Sequence, residues 1–167
     1  MIWLCSSGLQ RLQLSCYQFR RLLESFLPDL HSHFVETKIV AEMFVVGWFQ
    51  TLFVYLAVLP KATVDRIWDI FVFERDWKII FRIALSLLQV AQPNVLGQTI
   101  DTTMTVLNTF PEPMRRSLEA EELIHDALSI KVTNSILLQL REELHSCQVE
   151  GSSAFKTYML SEACASE

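Results

Sequence analysis

Apolar residues along this chain recur mostly at the three- and four-residue steps of an α-helix. Between Ser15 and Leu27 the apolar positions are Cys16, Phe19, Leu22, Leu23, Phe26 and Leu27, with Arg20, Arg21 and Glu24 between them. That spacing gives a helix with one dry face and one wet face. Pro28 closes the run and suits the first turn of a short second helix through Leu30 and Phe34, because its fixed φ fits and a first-turn amide has no intrahelical partner. Residues 39–58 read as a third helix, ending at Leu59-Pro60 because a residue before proline disfavours helical ψ. Thr63 or Asp65 is placed to cap a fourth helix carrying Val64, Ile67, Trp68, Ile70 and Phe71, and Asp76 to cap a fifth from Trp77 to Gln92. In that fifth run Lys78, Arg82, Ser86 and Gln89 form a thin polar stripe on an otherwise apolar cylinder. The pattern predicts a helix covered on nearly every side at the centre of the core, ended by Pro93.

Further along, Thr99, Thr102, Thr103, Thr105 and Thr109 favour a strand, whereas Ile100, Met104 and Leu107 fit a helix over 100–110. We read a helix stopped by Pro111 and Pro113. Two more amphipathic helices follow over 119–129 and 134–146, the second capped by Asn134 with Ile136, Leu137, Leu140 and Leu144 inside. The fold class expected is all-α, a bundle of roughly eight helices over residues 1–146, with 147–167 as a polar, flexible tail. No repeat period or sustained heptad is present.

Composition narrows the function classes. At 167 residues the chain is the size of one domain, and 51% hydrophobic against 20% charged residues leaves no room for a mainly disordered one. Glycine and proline together number nine, well under average usage, which suits helices better than a turn-rich sandwich. A net charge of −5 argues against nucleic acid, whose phosphates need clustered Lys and Arg. Cys5, Cys16, Cys147 and Cys164 form no C-x-x-C pair and read as reduced thiols of a cytosolic chain. The first residues lack the basic and apolar regions of a signal peptide. Residues 39–59 are long enough to cross a bilayer as a helix, but Glu42 and the central Gln50-Thr51 pair count against it.

Candidate chemistry is thin. His31 and His33, two apart, diverge on a helix and read as surface residues, as do His125 and His145. Asp65, Asp69, Glu74 and Asp76 alternate with Arg66, Arg75, Lys78 and Arg82, which ion pairing explains without acid–base catalysis. Met43, Met104, Met114 and Met159 read as core filling. No Gly-rich phosphate loop, nucleophile elbow or H-E-x-x-H motif occurs, so no catalytic, cofactor or metal site is expected.

Three stretches carry a family resemblance. The first is Gly8-Leu9-Gln10 followed by Cys16-Tyr17-Gln18-Phe19, Leu22-Leu23 and Pro28-Asp29-Leu30. The second is Trp48-Phe49-Gln50-Thr51-Leu52-Phe53; the third is Arg66-Ile67-Trp68-Asp69-Ile70-Phe71 followed by Trp77 to Leu88. Taken in order, they resemble the second half of a TBC domain, the helical module that activates Rab GTPases. The resemblance implies a buried, non-spanning helix at Trp48–Phe53. It also implies scaffold roles for Trp48, Phe49, Phe53, Trp68, Phe71, Phe81 and Leu85 in the core, and for Arg66, Asp69 and Arg82 as ion-pairing residues.

It further implies a Rab-family small GTPase as the partner of the full-length domain, in vesicle-mediated transport, with a cytoplasmic location and peripheral attachment to endomembranes through the Rab. The family is understood to insert an arginine from I-x-x-D-x-x-R and a glutamine from Y-x-Q-G into the nucleotide site. Neither motif occurs here: no Asp is followed three residues later by Arg, and none of Tyr17, Tyr55 and Tyr158 begins Y-x-Q-G. The chain is therefore expected to be a C-terminal piece of a Rab GTPase activator, inactive alone and not itself an enzyme. The alternative is a natural finger-less scaffold or GTPase-binding protein. Half a bundle would also expose apolar surface near residues 1–60.

Overall fold

The computed structural model describes the backbone of residues 6–150 and the side chains of residues 10–146. Among the described residues the elements are α1 (Ser6–Phe26), α2 (Pro28–Glu36), α3 (Glu42–Thr51), α4 (Lys61–Glu74), α5 (Lys78–Val95), α6 (Ile100–Thr109), α7 (Glu112–Arg115) with a 3-10 turn over Arg116–Leu118, α8 (Ala120–Ser129) and α9 (Asn134–Glu150). All are helical, as the spacing predicts.

α5 is the hub. From Ile79 to Leu88 every side chain except Arg82 is buried, Ser86 included. The other helices wrap it: α8, α6, α4, α3 and α1 all pack against it. One aromatic cluster joins three of these elements. Phe49 of α3 meets Phe19 of α1 edge-on at 5.5 Å and Phe81 of α5 edge-on at 5.5 Å. Trp77, just before α5, closes the cluster at 6.1 Å from Phe49.

The structure departs from the sequence reading at several element ends. The third helix stops at Thr51 rather than near Val58. Leu52 and Phe53 both turn left-handed, at φ 47° and 66°, and both amides point at the Trp48 carbonyl. Each such turn costs about 1–2 kcal/mol for a residue with a Cβ. Burying Phe53, Leu56 and Leu59 in the turn that follows offsets this at about 1.5–3 kcal/mol each. The 39–59 run is thus a short helix and a packed turn, and among the described residues no helix is long and apolar enough to cross a membrane.

Pro93 lies inside α5, which continues to Val95. Neither Thr63 nor Asp65 caps α4: Pro60 stands at the cap, and Thr63 is buried with its hydroxyl donating to the Leu118 carbonyl at 2.8 Å. Asp76 does accept from a first-turn amide, that of Lys78, at 3.0 Å. The hydroxyl at the start of α9 belongs to Thr133, which accepts from the Ile136 amide at 3.3 Å, while Asn134 turns to Asp76. In the threonine-rich segment Thr99 caps α6 by accepting from Thr102, so residues that favour a strand by propensity here serve a helix. α9 runs past residue 146 to Glu150; the tail expected over 151–167, with Met159 and Cys164, lies outside the described residues.

Candidate functional site

The motif residues divide into an inner and an outer set. Trp48, Phe49, Phe53, Phe81 and Leu85 are buried in the core. Phe71 is half-buried, edge-on to Trp77 at 5.9 Å. Trp68, expected in the core, is 39% exposed. The buried face of α4 is that of Thr63 and Ile67, and Trp68 follows Ile67 by one step of about 100°, which puts its ring at the rim. Its indole Nε1 donates to the Leu52 carbonyl at 3.2 Å, tying α4 to the left-handed turn.

The expected ion pairs also take another form. Arg66 and Asp69 are exposed, and neither joins an ion pair among the described residues. On α4 the pair is Lys61–Asp65, four residues apart at 2.5 Å. Arg82 donates instead to the backbone carbonyl of Val132 at 2.8 Å, clamping α5 to the link between α8 and α9.

Two surfaces stand out. On one side, Val54, Tyr55, Trp68, Val72 and Phe73 expose apolar area on α4 and the turn beside it; Tyr55 is 85% and Phe73 89% exposed. On the other, α1 and α9 flank a groove of about 820 Å³. Asp76, Trp77, Phe81 and Asn134 line one part of it, Leu14, Leu138 and Leu144 its apolar walls, and Arg11 and Arg141 supply cations. Gln18, itself buried, spans the two helices by donating from Nε2 to the Leu137 carbonyl at 2.8 Å. Nothing in the sequence marked Gln18 for this role, because a single polar residue beside an apolar stripe has no distinguishing spacing.

Electrostatically the groove is held by Asp76. Partial burial alone would raise its carboxyl, but hydrogen bonds from the Lys78 amide and the Asn134 side chain, with the Lys78 ammonium at 3.3 Å, outweigh it and hold the group below the usual Asp value. Elsewhere Cys16 is buried and its thiol is pushed up to about 12, by burial first and by the charge of Glu42 second, against Arg20. A thiol so raised stays protonated and is a poor nucleophile. His33, expected at the surface, is buried at 8% exposure with Nε2 lacking a hydrogen-bond partner. Met43 is half exposed rather than core filling. Among the described residues no three His, Cys, Asp or Glu gather as metal ligands. These surfaces offer packing and hydrogen bonding.

The described residues thus form helices around a covered α5, with Trp48, Phe49 and Phe53 buried beside it. The model of the Rab-GTPase-TBC domain matches residues 2–96. The chain belongs to the Rab-GTPase-TBC family. Among its relatives, the ecotropic viral integration site 5 protein of Mus musculus is 30% identical over 138 residues, 81% of this chain and 16% of the relative. TBC1 domain family member 10B of Homo sapiens is 32% identical over 136 residues, 79% of this chain and 16% of the relative. Rab GTPase-activating protein tbc-11 of Caenorhabditis elegans is 30% identical over 131 residues, 78% of this chain and 14% of the relative. The TBC match thus spans about a sixth of the curated relatives' length, and the family model's share ends with α5 and the residue after it.

Proposed function

We propose that residues 1–146 form the C-terminal half of a Rab-activating TBC domain and supply its scaffold rather than its chemistry. Stimulated GTP hydrolysis needs a cation placed against the charge that builds on the transferred phosphoryl oxygens, and a group that orients the attacking water. In this reading both come from a complementary segment bearing I-x-x-D-x-x-R and Y-x-Q-G, and the helices around α5 hold that segment in place. The single observation supporting it is that neither motif occurs anywhere in the 167 residues of a chain belonging to this family. The partner is a Rab-family small GTPase reached through the assembled domain. The site of action is the cytoplasmic face of endomembranes in vesicle transport, with peripheral attachment through the Rab.

Single-turnover GTP hydrolysis by a panel of Rab proteins, with this chain in excess, tests the proposal. The chain alone leaves each Rab at its intrinsic rate, whereas an arginine finger is worth about 10³–10⁵ in rate. Acceleration by the chain alone that disappears on substituting one of its arginines would overturn the reading.

A further inference from the structure

On the outer side of α4, Ala62, Arg66, Asp69 and Phe73 follow one another at steps of four, three and four, which sets them in one line along the helix. All four are exposed, Phe73 at 89%, and Val72 flanks the line at 62%. Arg66 and Asp69 stand three residues apart, yet neither joins an ion pair among the described residues. The scaffold role uses none of these four side chains. Their order is its own complement. When two copies of α4 lie antiparallel about a two-fold axis level with the midpoint between Ile67 and Trp68, Arg66 of each copy comes level with Asp69 of the other. In the same register the Phe73 ring of each copy lies over Ala62 of the other, the largest side chain of the line against the smallest. A different protein covering Phe73 would have to bring both an acid and a base in the matching order. A second copy of this chain carries both.

We propose that the Ala62–Arg66–Asp69–Phe73 line of α4 docks on the same line of a second copy, forming an antiparallel two-fold dimer. The two Arg66–Asp69 pairs set its register, since charge order across an interface selects the partner and its alignment more than it adds affinity. α4 has 14 residues and is about 21 Å long, so the contact is small and belongs to the weak, reversible class. Dilute chain is therefore monomeric with Phe73 open to water, and concentrated chain pairs. The proposal is independent of the scaffold reading: it is read from the mass of the chain in solution and not from GTP turnover.

Sedimentation equilibrium of the full chain over a wide range of concentration tests it, with charge reversals to locate the contact. The expected mass rises with concentration from one chain toward two. Arg66→Asp alone sets two acids level across the axis, and Asp69→Arg alone sets two bases, so each variant is expected to stay monomeric over the same range. An equal mixture of the two variants restores opposite charges at both contacts and is expected to recover the doubled mass. Because both residues are exposed, circular dichroism should show unchanged helicity in each variant, and recovery in the mixture separates lost pairing from lost folding. A mass of one chain at every concentration overturns the proposal. So does a dimer that both single reversals leave intact, which would place the contact on another face, and so does a mixture that fails to pair when each reversal has broken the dimer.

Discussion

Arg75 ends α4 with φ at 53°, in the left-handed region where a Cβ meets the backbone. Its side chain is exposed and joins no ion pair among the described residues. Arg75→Gly therefore relieves strain at little cost in contacts and should stabilise the chain by about 0.5–1 kcal/mol, raising the thermal midpoint by a few degrees in a calorimetric scan. An unchanged or lower midpoint would show that the side chain contributes more than its surroundings indicate. Next to it, Asp76 gives the fold a pH dependence. Its folded carboxyl lies below the ordinary value of 3.8, so its contribution is present above that value and is lost as pH falls through the lower folded one. Urea unfolding at a series of pH values down to about 2 should show this acid limb, and Asp76→Asn should flatten it. Neither residue's role could be read from the sequence in full. The capping chemistry of Asp76 was legible there, but the contribution of Asn134 depends on a fold that brings positions 58 residues apart together.

At the scale of elements, the helices were legible wherever one face is dry, and their ends were not. α5 could be read because so little of its surface is polar that only a central position could cover it. The end of α3 could not, because Leu52 and Phe53 carry no glycine-like signal for left-handed backbone; burial of the next turn drives it. Thr63 shows the same limit. A helix cap is a local role, whereas the Thr63 hydroxyl makes a buried bond to Leu118, across 55 positions, that ties α4 to the turn before α8. Thr63→Val keeps the shape and strands the Leu118 carbonyl, a loss of about 1–3 kcal/mol. The measurement is the denaturant midpoint, which should fall at constant slope. Arg66 and Asp69, expected to take part in ion pairs, both lie on the exposed side of α4, where among the described residues the ion pair is that of Lys61 and Asp65.

For the whole molecule, the expectation of exposed apolar surface near residues 1–60 catches part of what is there. Val35, Val40, Met43, Val54 and Tyr55 are exposed within that range, and Trp68, Val72 and Phe73 are exposed beyond it on α4. Tyr55 and Phe73 are the most exposed of these, at 85% and 89%, and large apolar rings open to water attract hydrophobic probes. The native chain should therefore enhance the emission of a hydrophobic dye, and replacing Tyr55 and Phe73 together by glutamate should remove most of that enhancement without lowering helicity in circular dichroism. If the dye responds equally to both proteins, this patch is not what it binds. Family membership was legible because three motifs hold their order and separation. The groove between α1 and α9 was not, since a concavity belongs to two distant helices and leaves no trace in either one's periodicity.

The bond from the Trp68 indole to the Leu52 carbonyl has an optical consequence. That ring lies half in water at the junction of a helix and a strained bend, so its emission depends on both solvent contact and the integrity of the bend. A version of the chain in which Trp68 is the sole indole would carry its own light source for watching the outer rim. A blue shift would mark something settling over it, and a red shift would mark the bend coming loose.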